Sequence, residues 1–173
     1  MLFLECISDT EVDSAASLIK NFRPSHTIYH RIPVPAFRFN TLAAALTFDK
    51  VGVVKIDVEG AELEVVKSIY SMLSDYRPIV LLEVLPVYSN ENAMRKERQE
   101  ELEQIFADLG YLLYRVTKLP ASDCVQLTKI NCIGIHVDLD QCDYVVLPSE
   151  SVSEVNSRIN GPAKLLDESE KRI

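Results

Sequence analysis

The chain has 173 residues, 47% of them apolar and 25% charged, and a formal net charge of −8 at pH 7. This length suits one domain with a sizeable core, and the composition is that of an ordinary globular protein. The negative charge disfavours nucleic-acid binding, because the densest basic stretch, MRKERQEE, is interleaved with acids that would repel a phosphate backbone.

The start of the chain and its cysteines favour a cytoplasmic protein. MLFLECISDTEVDS has a short apolar run, no basic lead and an early acid, which is not the pattern of a signal peptide. No apolar stretch is long enough to span a membrane. The four cysteines form no Cys-x-x-Cys and no metal-finger spacing, so scattered reduced thiols are expected.

The first part of the chain predicts short elements. MLFLECI is expected to be a strand, and SAASLIKNF a short helix or an irregular crossing. Residues 26–34 alternate in the manner of a strand, although Pro33 limits its ladder. NTLAAALTF is predicted as a short helix with Asn40 or Thr41 as its N-cap.

The middle of the chain alternates strands and helices. VGVVKIDV and PIVLLEVLP are continuous apolar runs that predict buried parallel strands. GAELEVVKSIYSMLSDY and AMRKERQEELEQIFADLG carry apolar stripes at helical spacing, and Gly110 is placed to cap the second helix. YLLYRVT is the next strand. Such alternation predicts right-handed crossovers and a three-layer α/β fold.

The end of the chain changes pattern. A polar stretch, KLPASDCVQLTK, precedes INCIGIHVD and DYVVLPS, which are predicted as closing strands. Two successive strands predict a terminal antiparallel hairpin on an otherwise mostly parallel sheet. Residues 1–150 are therefore assigned to one domain, and residues 151–173 to a polar tail.

Acids follow the two buried strands. Asp57 and Glu59 end the first, and Glu83 lies near the end of the next, with Lys55 on the same face as Asp57. In open parallel sheets, ligands bind outside the carboxyl ends of the strands. The alternative is structural: acids favour helix starts, so Asp57 is also a candidate cap.

Rival chemistries have less support. Mg²⁺ would suit the oxygen ligands of Asp57, Glu59 and Glu83, but a metal-free site is the preferred interpretation. His26 and His30 lack companions at zinc-ligand spacing. No Gly-x-Ser-x-Gly elbow or phosphate loop is present, which disfavours hydrolases and nucleotide-hydrolysing enzymes.

The stretch VVKIDVEGAELEVVKS resembles the signature of the FkbM-type methyltransferases, S-adenosylmethionine-dependent enzymes with a Rossmann-like class I fold. FRFNTLAAAL, RPIVLLEV, LEQIFADLGYLLYRV and DYVVLPSE resemble the flanking segments, so the resemblance covers roughly residues 2–150. At position 43 an alanine replaces the aspartate common in the family. The resemblance implies O-methyl transfer to an acceptor such as a small molecule, a glycan or a lipid.

The resemblance also assigns roles to residues. Asp57 matches the acid that faces the methyl donor and acceptor, and Glu59 is implied to hold the acceptor or to bond back to the helix start. Glu83, Tyr88 and Lys55 are implied on the acceptor side. Asp57 and Glu59 are therefore the expected catalytic residues, with Asp57 orienting the acceptor hydroxyl or accepting its proton.

The glycines depart from the family pattern. Members hold the donor with a glycine-rich turn after their first strand, whereas none of the five glycines here lie close enough to form one. We expect a fold incomplete at its N-terminus that lacks the cofactor-binding half. Two hypotheses follow: a methyltransferase portion, whether active or inactive on its own, or a non-catalytic remnant acting as an interaction or scaffold protein. The second predicts an open sheet edge that a partner chain or a second copy covers.

Overall fold

The computed structural model describes residues 2–10, 13–46, 49–118 and 125–158, and the backbone of 165–167. These residues form a two-stranded sheet and a six-stranded sheet with helices packed on it. The strands are β1 (Leu2–Cys6), β2 (His30–Val34), β3 (Val53–Ile56), β4 (Ile79–Glu83), β5 (Tyr111–Lys118), β6 (Val125–Ile130), β7 (Asp143–Pro148) and β8 (Leu165–Asp167). The helices are α1 (Phe39–Ala43), α2 (Glu62–Ser68), α3 (Tyr70–Tyr76), α4 (Ala93–Asp108) and α5 (Val152–Arg158).

The six-stranded sheet has the order β3-β4-β7-β5-β6-β8. β7 lies between β4 and β5 and is antiparallel to both, so β4 and β5 run in the same direction without touching. β6 is antiparallel to β5, whereas β3 is parallel to β4 and β8 to β6. The prediction of a mostly parallel sheet is therefore wrong, because β7 enters between two crossover strands instead of closing the edge as a hairpin.

One face of this sheet carries the main core. Ile56, Val80, Leu82, Tyr144 and Val146 point from the sheet into a cluster with the apolar sides of α2, α3 and α4. The apolar stripes that the sequence predicts on the helices lie in this cluster. Burial of such side chains is the main source of stability.

The opposite face is only partly covered. Near α5, Leu147 packs with Tyr114 and Leu127, and Val152 and Val155 of the helix lie against them. On β3 and β4 the same face is open, as Val53 is 57% and Leu81 40% exposed. The second helical layer of the expected three-layer fold is thus reduced, within the described residues, to α5. Helix α5 and strand β8 belong to the segment that the sequence assigned to a polar tail.

Several early elements differ from expectation. β1 and β2 pair with each other as a separate antiparallel sheet. Residues 14–22 form turns instead of the short helix that was one of the two predictions there. The N-cap of α1 is Arg38 and not Asn40 or Thr41, and its side chain makes no capping hydrogen bond.

Two later elements also differ. The helix expected after β3 is divided at Ile69 into α2 and α3, although Leu73 N–H still donates to the Ile69 carbonyl at 2.9 Å. The strand predicted at INCIGIHVD is wrong in position: β6 is Val125–Ile130, which lies in the stretch expected to be polar except for its last residue. Alternating side chains there place Leu127 on one face of the sheet and Ile130 on the other.

In the described part of the chain, no helix combines the length and apolarity that membrane crossing requires. Cys6, Cys132 and Cys142 are free thiols there, and Cys124 lies outside the described residues.

Candidate functional site

Three of the charged residues singled out from the sequence meet at one rim of the sheet. β3 and β4 are parallel, with Ile56 opposite Leu82, so the residues that follow each strand share an edge. The Lys55 ammonium donates to Asp57 Oδ2 at 2.8 Å. This hydrogen bond, together with the charge of Asp57, raises the pKa of Lys55. Both side chains are substantially exposed, so the pair faces solvent on the open side of the sheet.

Asp143 and Lys118 extend this rim, and sequence reasoning missed both. Asp143 is the cross-strand partner of Glu83, because β7 pairs antiparallel with β4. The Lys118 ammonium lies 3.1 Å from Asp143 Oδ2. Acids opposite one another on neighbouring strands repel. Only the insertion of β7 next to β4 creates this pair, so the order of elements along the chain gave no signal for it.

Glu83 is the acid most affected by these neighbours. Partial burial raises its pKa, and the charges of Asp57, Asp143 and Glu59 raise it further, while Lys55 acts in the opposite direction. A carboxylate whose pKa is moved toward neutrality accepts and releases protons more readily under ordinary conditions. The rim therefore combines an exposed carboxylate, Asp57, with a partly buried one, Glu83, whose pKa is raised above the ordinary glutamate value.

Glu59 turns away from this group toward the segment around residue 22. Its backbone is left-handed, with φ of 51°, and its carboxylate forms an ion pair with Arg23. The next residue, Gly60, has φ of 101°, a conformation that side-chain-bearing residues rarely adopt. The Phe22 ring fills the space beside it.

The start of α2 uses another acid. The N-cap position is Ala61, and the Glu62 carboxylate accepts a hydrogen bond from Gly60 N–H at 2.8 Å. Glu62 is 6% exposed, and burial raises its pKa. Asp57 lies five residues before the helix and bonds to Lys55, so the alternative interpretation of Asp57 as a helix cap is wrong.

Tyr88 lies apart from the acids, in a cleft of about 390 Å³ beyond the end of β4. Arg95 of α4 lies over its ring, 5.6 Å from the centroid. The structure thus brings Lys55, Asp57 and Glu83 together and places Glu59 and Tyr88 on the side of Arg23 and Arg95.

The glycines among the described residues do not provide a cradle for a nucleoside-bearing donor. Gly52 and Gly60 lie at opposite ends of β3, and the free side of Gly60 is occupied by Phe22. The residues present therefore do not fit the glycine-rich turn that holds S-adenosylmethionine in such folds. Within the described ranges, no group of three or more His, Cys, Asp or Glu is placed to hold a metal ion.

Comparison with known proteins gives one result. A family model described as "Methyltransferase FkbM domain" matches residues 5–113, which is more than half of the chain. The match includes Lys55, Asp57 and Glu83 but ends before Lys118 and Asp143. Neither the curated proteins nor the solved structures include a significant match.

Proposed function

This chain belongs to the FkbM methyltransferase family, and we propose that it contributes the acceptor side of an O-methyl transfer reaction. The acceptor is a hydroxyl compound, either a small molecule or a glycan or lipid, that lies at the rim of the sheet. A nucleic acid is disfavoured by the net charge of −8.

The observation that carries this proposal is the position of Asp57 and Glu83 at the carboxyl rim of two parallel strands. In the proposal, Asp57 accepts the proton of the acceptor hydroxyl as the oxygen gains its methyl group. Lys55 holds the Asp57 carboxylate in place through the 2.8 Å hydrogen bond. Glu83, whose pKa is raised, orients the hydroxyl by a hydrogen bond.

Glu59 has a positioning role in this proposal. Its ion pair with Arg23 ties the turn after Asp57 to the segment that carries Phe22. Because reacting atoms must be aligned for a displacement, a shift of that turn would reduce the rate without removing a reacting group.

The family implies S-adenosylmethionine as methyl donor. Since the glycines present do not fit its cradle, we assign no residue of this chain to the donor. We propose that the 173-residue chain binds it weakly or not at all. Titration calorimetry tests this point, and a Kd of about 10 µM or tighter would contradict it.

Transfer itself is tested with labelled S-adenosylmethionine at millimolar concentration, so that weak binding does not limit the reaction. The chain is incubated with a panel of hydroxyl compounds. Asp57→Asn is expected to reduce transfer by about 100-fold, as for loss of a general base. Glu101→Gln is the control, because Glu101 forms an exposed ion pair with Lys67 between the helices, away from the rim. If calorimetry detects binding of S-adenosylmethionine, absence of transfer to every acceptor would count against an enzyme.

A second candidate function is that of a non-catalytic interaction protein. Among the described residues, β3 is the end strand of its sheet, and the face beside it exposes Val53 and Leu81. Exposed strand edges are sites for pairing with another chain. Stable complex formation together with absence of methyl transfer would favour this function over the first.

A further inference from the structure

We propose that the cleft beside Tyr88 binds an oxyanion, either a carboxylate or a phosphate, carried by the methyl acceptor. The assignment of this ligand as the acceptor rests on the proposed function, whereas binding of the oxyanion itself does not. The cleft is distinct from the acids at the rim and connects to them through the pair of Arg23 and Glu59.

The lining of the cleft is basic and polar. Its volume is about 390 Å³, and none of the described residues that line it is acidic. They are Arg23, Pro24, Ser25, His26, Leu85, Tyr88, Asn92, Arg95 and Leu139. In a chain whose net charge is −8, an acid-free cleft with two arginines and a histidine favours an anionic ligand.

Arg95 gives the strongest reason. Its side chain is buried, with 7% of the residue exposed, and it donates to the carbonyls of Phe22 at 2.7 and 3.2 Å and of Pro86 at 3.1 Å. Its guanidinium also lies over the Phe22 ring, 4.0 Å from the centroid, and interacts with the Tyr88 side chain. All these partners are neutral, and no carboxylate in the described part of the chain forms an ion pair with Arg95. Buried charges are ordinarily paired, so an anion in the cleft would supply the missing partner.

The surroundings of Arg95 strengthen the argument. Burial lowers its pKa and the charge of Arg23 lowers it further, whereas Tyr88, through its charge and a side-chain hydrogen bond, and to the least extent Glu62 raise it. Arg95 also occupies the first turn of α4, which contains no acid and whose N-cap, Asn92, makes no capping hydrogen bond with its side chain. The positive end of a helix disfavours a cation. A bound oxyanion would offset both the charge of Arg95 and the positive end of the helix dipole.

Arg23 is positioned to complete the site. Its guanidinium donates to the Ala15 carbonyl at 2.5 Å and pairs with Glu59, and it lies 5.5 Å from the centroid of Phe22. A guanidinium has five N–H donors, so these two partners leave donors for a ligand. Glu59 follows Asp57 by two residues, so under the proposed function an acceptor anchored here would have to pass this turn to reach the proposed reacting group.

The test is an NMR titration of the complete ¹⁵N-labelled chain with inorganic phosphate and, separately, acetate, against chloride at the same ionic strength and pH. We expect saturable shifts of backbone amides in residues 22–26 and 85–95. The stronger of the two anions identifies the oxyanion. Shifts that do not saturate, or that spread over surface lysines, would overturn the proposal.

Variants add a matched comparison. Arg95→Met keeps a long apolar side chain against Phe22 and is expected to weaken binding by about tenfold or more, as for loss of a charged hydrogen bond. His26→Gln affects an exposed residue, tests the site without disturbing the fold, and is expected to weaken binding about two- to fivefold. Lys96→Gln removes a charge from the same helix outside the cleft and should leave binding unchanged. Equal weakening in all three variants would contradict a specific site.

The two proposals fail in different ways. Oxyanion binding without methyl transfer would support the cleft and contradict the proposed enzyme. Methyl transfer that does not distinguish a phosphorylated or carboxylated acceptor from its neutral analogue would support the enzyme and contradict the cleft as its anchoring site.

Discussion

The ring of Phe22 lies so close to the α-carbon of Gly60 that a Cβ at position 60 would meet it at 2.5 Å. The same glycine has φ of 101°, where a side chain is also strained by its own backbone. This contact holds the segment that carries Arg23 against the turn that follows Asp57. The cleft and the rim therefore keep their relative positions only if position 60 is a glycine.

Gly60→Ala is expected to lower the free energy of unfolding by about 3 kcal/mol, because a steric clash and an unfavourable φ act together. Urea denaturation measures the change. Gly52→Ala is the control: no atom lies within 4 Å of its added Cβ and its φ is not in the left-handed region, so we expect a change within about 0.5 kcal/mol. Similar costs at both positions would contradict the role of Phe22.

Asp57→Asn is expected to change the free energy of unfolding by no more than about 0.5 kcal/mol. Its ion-pair partner Lys55 is 69% exposed, and the helix that follows begins without using Asp57. Urea denaturation of the purified variant checks this. A loss of several kcal/mol would mean that Asp57 has a structural role and would weaken its assignment to chemistry.

Glu83→Gln is expected to stabilise the protein at neutral pH by a few tenths of a kcal/mol, the scale of partly exposed charge interactions. The pKa of Glu83 is raised in the folded state, so its ionised form costs stability above that pKa. As the pH falls toward the ordinary glutamate range, both states bind the proton and the advantage of the variant disappears.

Denaturation of wild type and Glu83→Gln between pH 4 and pH 8 measures this dependence. The free energy of unfolding of Glu83→Gln should exceed that of wild type by an amount that grows as the pH rises. If the variant is instead less stable at neutral pH, attraction to Lys55 outweighs repulsion by Asp57 and Asp143.

The opposite dependence is expected at Glu150. Two hydrogen bonds from Arg77, at 2.7 and 2.9 Å, lower the pKa of Glu150 to about 2. A lowered folded pKa adds stability above the ordinary glutamate pKa, and this stability is lost as the pH falls toward 2. Since both side chains are partly exposed, Glu150→Gln should cost about 1 kcal/mol or less at pH 7.

Acid denaturation should show that the free energies of unfolding of wild type and Glu150→Gln converge near pH 2. Glu154→Gln, which removes an exposed ion pair within α5, is the matched control and should have a smaller effect. A pH-independent difference at Glu150 would indicate lost packing instead of lost charge.

The elements that could be predicted from sequence are those whose pattern is long and local. The strands around Ile56 and Val80 are continuous apolar runs, and the helix that buries Leu102 and Phe106 is apolar at helical spacing. The structure confirms these elements, although one face of the two strands is open and not buried as expected. β6 was placed wrongly because VQLTKI mixes polar and apolar side chains and reads as a loop. Its burial depends on β5 beside it and not on its own composition.

The site, like the fold, could be predicted from the sequence only in part. Parallel strands align their carboxyl ends, so the meeting of Lys55, Asp57 and Glu83 could be expected from the order of elements. The partners Arg23 and Asp143 lie 36 and 60 positions away in sequence from the acids that they meet, Glu59 and Glu83. Which distant segments become neighbours is decided by topology, and no local pattern contains that information.

The place of β7 has a consequence for synthesis of the chain. β4 and β5 are joined through β7 alone, and Val146 and Leu147 at its centre are fully buried. On the ribosome, the facing edges of β4 and β5 stay unpaired until residues 143–148 emerge, which exposes apolar strands to chaperones or to other nascent chains. The region that matches the family, residues 5–113, lacks this strand, so we expect it to be unable to fold when produced without the residues that follow.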